Sequence, residues 1–256
     1  MKISNNDKIL YENTKHWDNV DISDHIQNKI NKIKDIIPAD VNSLIDVGCG
    51  NGIILNQLVS KWNGIGIDRS WVALKHVNAH KVNADIQNLP IQSDKVDLVI
   101  CSEVLEHLPE SVLKKAIAEL KRISKKYILI TVPNNEYLQK NYVKCSACKY
   151  KFNASYHLNS FDLDSLFLLF SNFNLVYEFK CGKMVRQYNP VLLKIKQRLG
   201  NSWARFSSVR HFICPGCHHD FEYKQRVNII SILCDGVNRL ITKKKPYWLG
   251  ILVSKK

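Results

Sequence analysis

With 256 residues, 45% of them hydrophobic and 23% charged, the chain is long enough for one sizeable α/β domain with additions. No apolar run reaches the ~18 residues of a membrane-spanning helix, and the opening residues Met1 to Asp7 lack the apolar core of a secretory signal, so the sequence reads as cytoplasmic. The net charge of +14 is unevenly placed: residues 1–140 carry 18 Lys/Arg against 17 Asp/Glu, whereas 141–256 carry 19 against 6, which points either to an anionic partner met by the C-terminal part or to lysine used for solubility.

In chain order, Ile22, Ile26, Ile30, Ile33 and Ile36 recur at three- and four-residue spacing and predict a helix over 21–36 that ends before Pro38. An apolar strand then runs through Leu44 and Ile45 into a turn with glycines at 48, 50 and 52, followed by a predicted helix over 53–61. A second strand, Gly64 to Asp68, precedes a predicted helix over 70–79; a third, around Val82 to Ala84, ends at Asp85. A fourth, Val96 to Ile100, leads into Glu103, Glu106 and His107, and Pro109 opens a helix carrying Leu113, Ala116, Ile117 and Leu120. Tyr127 to Val132 is a fifth strand, Leu175 to Phe179 a sixth, and Tyr247 to Ser254 the last. This alternation predicts an α/β fold: a Rossmann-like, doubly wound, mostly parallel seven-stranded sheet with ligands at the C-terminal strand edge. Residues 1–40 form an N-terminal arm and helix, 41–181 with 246–256 the sheet domain, and 182–245 an insertion before the last strand.

The glycine turn is the strongest local signal. Its G-x-G-x-G spacing lets the main chain approach a ligand closely, yet it matches neither the dinucleotide turn G-x-G-x-x-G nor the P-loop. Asp46 would repel a phosphate and suits an amino-bearing ligand, and Asp68 can take both hydroxyls of a ribose. The order of these motifs, IDVGCGNG, GIGID, ADIQNLP and VDLVICSEVLEHL, resembles the class I S-adenosylmethionine-dependent methyltransferases over about residues 40–180 plus the last strand. The resemblance implies that Gly48, Gly50 and Gly52 wrap the methionine part of S-adenosylmethionine, that Asp68 binds the ribose, and that Asp85 binds the adenine amine with Ile86 against the ring. It further implies that Asp46 faces the ammonium, that Glu103 borders the cofactor, and that Tyr11 and Trp17 of the arm close over it.

Two C-x-x-C pairs, Cys145/Cys148 and Cys214/Cys217, each followed four residues later by an aromatic, Phe152 and Phe221, have the spacing of zinc knuckles. Four thiolates leave no open position, so the expected Zn²⁺ is structural and clips the insertion to the loop after the fifth strand. A redox role for one pair is the alternative. Cys49, Cys101, Cys181 and Cys234 lack partners at such spacing and are expected to be small buried residues.

The insertion holds 13 Lys/Arg against 3 acids and two predicted helices, 190–199 and 226–241. The second has an apolar stripe of Val227, Ile230, Leu233, Val237, Leu240 and Ile241, which either packs on the domain or, as part of a basic amphipathic helix, lies on anionic lipid. Methyl transfer needs an in-line nucleophile more than it needs a triad. Where the acceptor is a hydroxyl a base helps, and His157 is the candidate, ahead of Glu103, Glu106, His107, Asn134 and Asn135. The expected acceptor is a small or lipid-linked anionic metabolite. Methylation of RNA through the basic module, with Trp203, Phe206, Phe212 and Tyr223 among its arginines, is the rival, and a non-catalytic zinc-stabilised binding protein is a third reading.

Overall fold

The structure is a computed structural model that describes residues 22–256; Tyr11 and Trp17 lie outside the described residues. The chain divides into two compact units, one of Met1–Asn134, Phe161–Lys183 and Tyr247–Lys256, the other of Asn135–Ser160 and Met184–Pro246.

The first unit is built on seven strands: β1 (Ser43–Val47), β2 (Asn63–Asp68), β3 (His80–Asn83), β4 (Val96–Ser102), β5 (Ser124–Pro133), β8 (Phe173–Arg186) and β11 (Lys244–Lys255). Their order is β3-β2-β1-β4-β5-β11-β8. The first five run parallel, with Asp46 beside Gly66 on one side and Ile100 on the other, and β11 is antiparallel to β5. Chain order reverses between β1 and β4, so the crevice beyond their C-terminal ends is where this topology places a ligand.

Both faces of the sheet are covered, which is why the strands read as continuous apolar runs. Ile45, Val47, Val99, Cys101, Ile128 and Ile130 pack on one side with the helices α3 (Glu110–Ile123) and α4 (Leu163–Leu168). The alternate residues Leu44, Leu98, Ile100 and Leu129 pack on the other with Ile30 and Ile33 of α1 (Asp24–Ile36). Asp46 shares the parity of Leu44, so a carboxylate stands in an otherwise apolar line. The predicted helix over 53–61 is reduced to a single 3-10 turn, Leu55–Gln57, amid further turns, and that over 70–79 to α2 (Trp71–Leu74), capped by Ser70, whose Oγ accepts from the Ala73 N–H.

The second unit holds two antiparallel hairpins, β6 (Tyr142–Lys144) with β7 (Lys151–Asn153) and β9 (Arg210–Ile213) with β10 (Asp220–Tyr223). Phe152, Phe212, Phe221 and Tyr223 are buried in its core, with Trp203 and Phe206 packed against them. Two helices complete it, α5 (Pro190–Arg198) and α6 (Ile229–Ile241). They are antiparallel neighbours: the Asn189 N–H donates to Asn238 Oδ1, the Lys196 ammonium to Asp235, and the Asn228 amide to the Gly200 carbonyl.

Candidate functional site

At the end of β1 the chain turns through Gly48, Gly50 and Gly52, with φ of +74°, +54° and +76°. An L side chain adopts this region at a cost, and a Cβ at Gly48 would stand 2.4 Å from Val104 Cγ2, beyond β4. The turn is fixed to β2 from both ends: Gly48 and Cys49 N–H donate to the Ile67 carbonyl at 2.7 and 3.1 Å, and Gly50 N–H donates to Asp68 Oδ2 at 2.8 Å. The other Asp68 oxygen accepts from Ser70 N–H at 2.8 Å. Burial nevertheless wins over these bonds and raises the Asp68 carboxyl above its ordinary range.

Asp46 is 2% exposed, and its Oδ1 has no hydrogen-bond partner among the described residues. Burial, then the Asp68 charge, push its carboxyl up to about 7 against the opposing pull of Lys29. Asp46, the three glycines and Asp68 therefore form one cluster at the ends of β1 and β2. Asp85 lies exposed two residues past β3, its Oδ1 accepting both the main-chain and side-chain N–H of Gln87, at 2.8 and 3.1 Å; Ile86 beside it packs partly into the core.

Glu103 follows β4 with φ +57°. It sits in a network absent from the sequence-based expectations: Oε2 accepts from Trp248 Nε1 at 2.7 Å, Oε1 from Thr131 Oγ1 at 3.2 Å, and the Lys29 ammonium lies 3.9 Å away. Lys29 is 5% exposed, donates to Ser102 Oγ at 3.3 Å and stands 4.3 Å over the Trp248 ring. A signal for it was present, since position 29 falls within the Ile26–Ile30–Ile33 stripe, where a lysine is out of place unless paired.

In the second unit His157 is 7% exposed and bonds through Nδ1 to Glu136 Oε2. Glu136 Oε1 accepts from the amides of Asn141 at 2.7 Å and Asn153 at 3.3 Å. Burial works to raise the Glu136 carboxyl, but the bond to His157 and the amides outweigh it and hold the carboxyl below its usual range. His157 is the base expected from the sequence; its carboxylate partner was not, lying 21 residues earlier without periodicity to mark it.

The two C-x-x-C pairs occupy the tips of the two hairpins, and all four sulfurs lie within 4.8 Å of one another. Cys145 Sγ is 3.7 Å from Cys217 Sγ, and Cys148 Sγ is 3.6 Å from Cys214 Sγ. The two tips share one conformation: Cys145 N–H donates to Tyr150 O at 2.9 Å and Cys214 N–H to His219 O at 3.0 Å, while Lys149 and His218 take left-handed φ of 64° and 59°. Phe152 and Phe221 meet below them, edge to face at 6.4 Å. Such a donor set can hold a metal ion. The other four cysteines are buried.

A family model described as a methyltransferase domain matches residues 20–178, more than half of the chain. An uncharacterized protein of Methanocaldococcus jannaschii is 26% identical over 210 residues, which cover 72% of this chain and 90% of that one. The ubiquinone biosynthesis O-methyltransferase of Albidiferax ferrireducens is 31% identical over 90 residues, 30% of this chain and 36% of that enzyme's length. Among solved structures, a SAM-dependent methyltransferase from Archaeoglobus fulgidus has a TM-score of 0.54 at 16% identity, covering 89% of this chain and 93% of that one. Magnesium protoporphyrin IX methyltransferase from Synechocystis PCC 6803 with bound SAM has a TM-score of 0.50 at 12% identity, with 72% and 92% covered; at such identity the likeness is one of fold. The extent of the family match, on a sheet of this order, makes the chain a member of the methyltransferase-domain family, a class I S-adenosylmethionine-dependent methyltransferase.

Proposed function

We propose that the protein methylates a small or lipid-linked anionic acceptor at an oxygen or nitrogen atom by SN2 displacement. In this reading Asp46, Gly48, Gly50, Gly52, Asp68, Asp85, Ile86 and Glu103 form the cofactor site and His157 is the base. The observation that carries it is the pairing of a glycine turn too tight for a Cβ with a buried Asp46 oxygen that has no partner among the described residues, an acceptor suited to an ammonium group. When bound, S-adenosylmethionine supplies a methyl group on a positively charged sulfur whose departing thioether is neutral. Asp68 has lone pairs left for two ribose hydroxyls after accepting its two backbone N–H groups, so it both binds and shapes the turn. Asp85 offers a carboxylate to an adenine amine, with Ile86 as the apolar wall. Glu103, held by Trp248 and Thr131, keeps its orientation without help from the ligand. His157, oriented through Nδ1 by Glu136, takes the proton of the attacking hydroxyl or amine as the new bond to carbon forms.

The cysteine cluster fits a structural Zn²⁺. A tetrahedral ion with Zn–S bonds of ~2.3 Å sets its sulfurs about 3.8 Å apart, near the spacings of 3.7 and 3.6 Å between hairpins, and a disulfide would need ~2.05 Å. Burial works to raise the Cys145 thiol, but the amides of Cys148 and Ala147 outweigh it and bring it down to about 7, whereas burial pushes Cys214 up to about 12; sulfurs this close can all be thiolates together only around a cation. The RNA alternative loses support, because Phe212 and Tyr223 are buried in the core of the second unit, with Trp203 and Phe206 packed on it, rather than offered for stacking on bases.

Transfer from methyl-labelled S-adenosylmethionine to a fractionated cell extract tests the acceptor and the base together. Label entering a small anionic or lipid fraction, with kcat falling about 10²–10⁴-fold in His157→Gln while cofactor affinity holds, is expected. Label confined to RNA would overturn the acceptor class, and an unchanged kcat in His157→Gln would remove the base.

A further inference from the structure

The helix α6 is inside out. Its buried line is small and mostly polar: Ser231 and Asn238 face inward with Cys234, and Asp235 beside them accepts from Tyr188 Oη at 2.7 Å, from the Lys196 ammonium at 2.7 Å and from Arg205 at 3.3 Å. Asn238 bonds the Asn189 N–H and the Gln187 carbonyl. These bonds decide which face packs. The opposite face carries Ile229, Ile232, Leu233, Val237, Leu240 and Ile241, each between 45% and 86% exposed, at the i, i+3, i+4 spacing of one continuous stripe. Gly236 lies in the stripe, and a Cβ there would meet nothing within 4 Å. The stripe runs along a helix of 13 residues, about 20 Å. On the neighbouring helix Val191 and Leu199 are also exposed, at 64% and 71%. An apolar row of this length on a water-facing helix marks an interaction surface.

The charge around it selects the occupant. Exposed Lys194, Arg198, Arg239, Lys243 and Lys244 accompany the two helices, and the one acid on them, Asp235, is taken up by its bonds to Lys196, Arg205 and Tyr188. A second copy of the chain would bring two such basic rims together. Nucleic acid would satisfy the charge and leave the apolar row without a partner. An anionic lipid surface satisfies both: acyl chains and glycerol backbones take the apolar face while phosphate groups take the lysines and arginines. We propose that α6 lies in the headgroup region of an anionic membrane, apolar face inward, and that the second unit docks the enzyme there. This goes beyond the methyl-transfer reading, which holds whether or not the protein meets a bilayer.

Flotation of the whole protein with phosphatidylcholine vesicles, with and without phosphatidylglycerol, tests the proposal. Binding at least about tenfold tighter to the phosphatidylglycerol vesicles is expected, weakening with salt. The variant Leu233→Ser/Val237→Ser/Leu240→Ser removes exposed side chains only, so it folds, as its circular dichroism will show, and is expected to lose about a hundredfold in vesicle affinity. A Leu240→Trp variant is expected to gain emission that brominated lipid quenches beyond the wild-type level. Absence of binding to phosphatidylglycerol vesicles would overturn the proposal. So would equal binding by the triple-serine variant, which would make the attraction one of charge alone, or a wild-type dimer in sedimentation equilibrium that the same variant dissolves, which would assign the face to a second copy.

Discussion

Replacing Gly48 by alanine tests whether the glycine turn is a close-packed cradle. The new methyl meets two separate costs. At φ +74° an alanine is strained by about 1–2 kcal/mol. Its Cβ would also stand 2.4 Å from Val104 Cγ2, an overlap that forces Val104 or the turn to move and costs about 1–3 kcal/mol. Gly48→Ala is therefore expected to lose about 2–5 kcal/mol of stability in urea unfolding. The second cost belongs to a pair of atoms, so it is separable: Val104→Ala alone costs about 1–2 kcal/mol from lost burial, but in the double variant it relieves the clash. A coupling energy of about 1–3 kcal/mol is expected in the double-mutant cycle, with the backbone strain left behind. Stability of Gly48→Ala within about 0.5 kcal/mol of wild type, or strict additivity of the two changes, would refute the reasoning.

Asp46 predicts a pH dependence of the cofactor-free protein. Its folded carboxyl titrates near 7 and the unfolded one near 3.8, so its contribution is complete below about pH 3.8 and is lost as pH rises through 7, up to about 4 kcal/mol in all. Urea unfolding is expected to show about 2–3 kcal/mol of this fall between pH 5 and pH 8 in wild type, the rest having gone below pH 5, and a smaller fall in Asp46→Asn, where only the raised carboxyl of Asp68 is left; equal falls in the two proteins would contradict it. Purification without chelator is expected to yield one zinc ion per chain by elemental analysis. Stripping the metal should raise hydrogen exchange in residues 141–157 and 182–245 and leave β1, β4 and β5 protected, and Cys214→Ser/Cys217→Ser should reproduce it. No metal in a reduced preparation would remove the zinc reading.

The sheet was legible because every central strand is buried on both faces, and such strands announce themselves as unbroken apolar runs. The apolar run Leu175 to Phe179 predicts five residues for β8, which runs to fourteen: at the end of the sheet order it needs little burial, and Lys180, Gly182 and Lys183 mask its extension. The segment 53–61 has helical spacing but not a helix. Asn56 keeps its main-chain bond to the Gly52 carbonyl but turns its side chain away to bond Asn78 N–H and the His76 carbonyl, and the Gln57 and Leu58 N–H groups reach carbonyls three residues back, which leaves a 3-10 turn in place of a regular helix. The cysteine pairs were legible from spacing alone, and the aromatics that follow them meet as the repeat suggested. What hydropathy could not decide was which side of α6 packs. Asp235 and Asn238 decide it through bonds to Tyr188, Lys196 and Asn189, residues some 40 to 50 positions away, and the apolar stripe is turned outward as a result. Glu136 escaped the sequence for the same reason, since the partners of a buried charge are set by topology, whereas Lys29 left a trace in the apolar stripe of α1.

Calorimetric titration of the purified protein with S-adenosylmethionine, in wild type and in Asp68→Asn, tests the central assignment most directly. The substitution keeps the size of the side chain and an oxygen for one backbone N–H while removing the charge. Saturable one-site binding in wild type is expected, weakened in Asp68→Asn by about 1–3 kcal/mol, about 5- to 150-fold, through the loss of charge-assisted bonds to the ribose. No heat and no thermal shift with the cofactor in the folded wild-type protein would contradict the account, and undiminished binding in Asp68→Asn would move the ribose contact elsewhere.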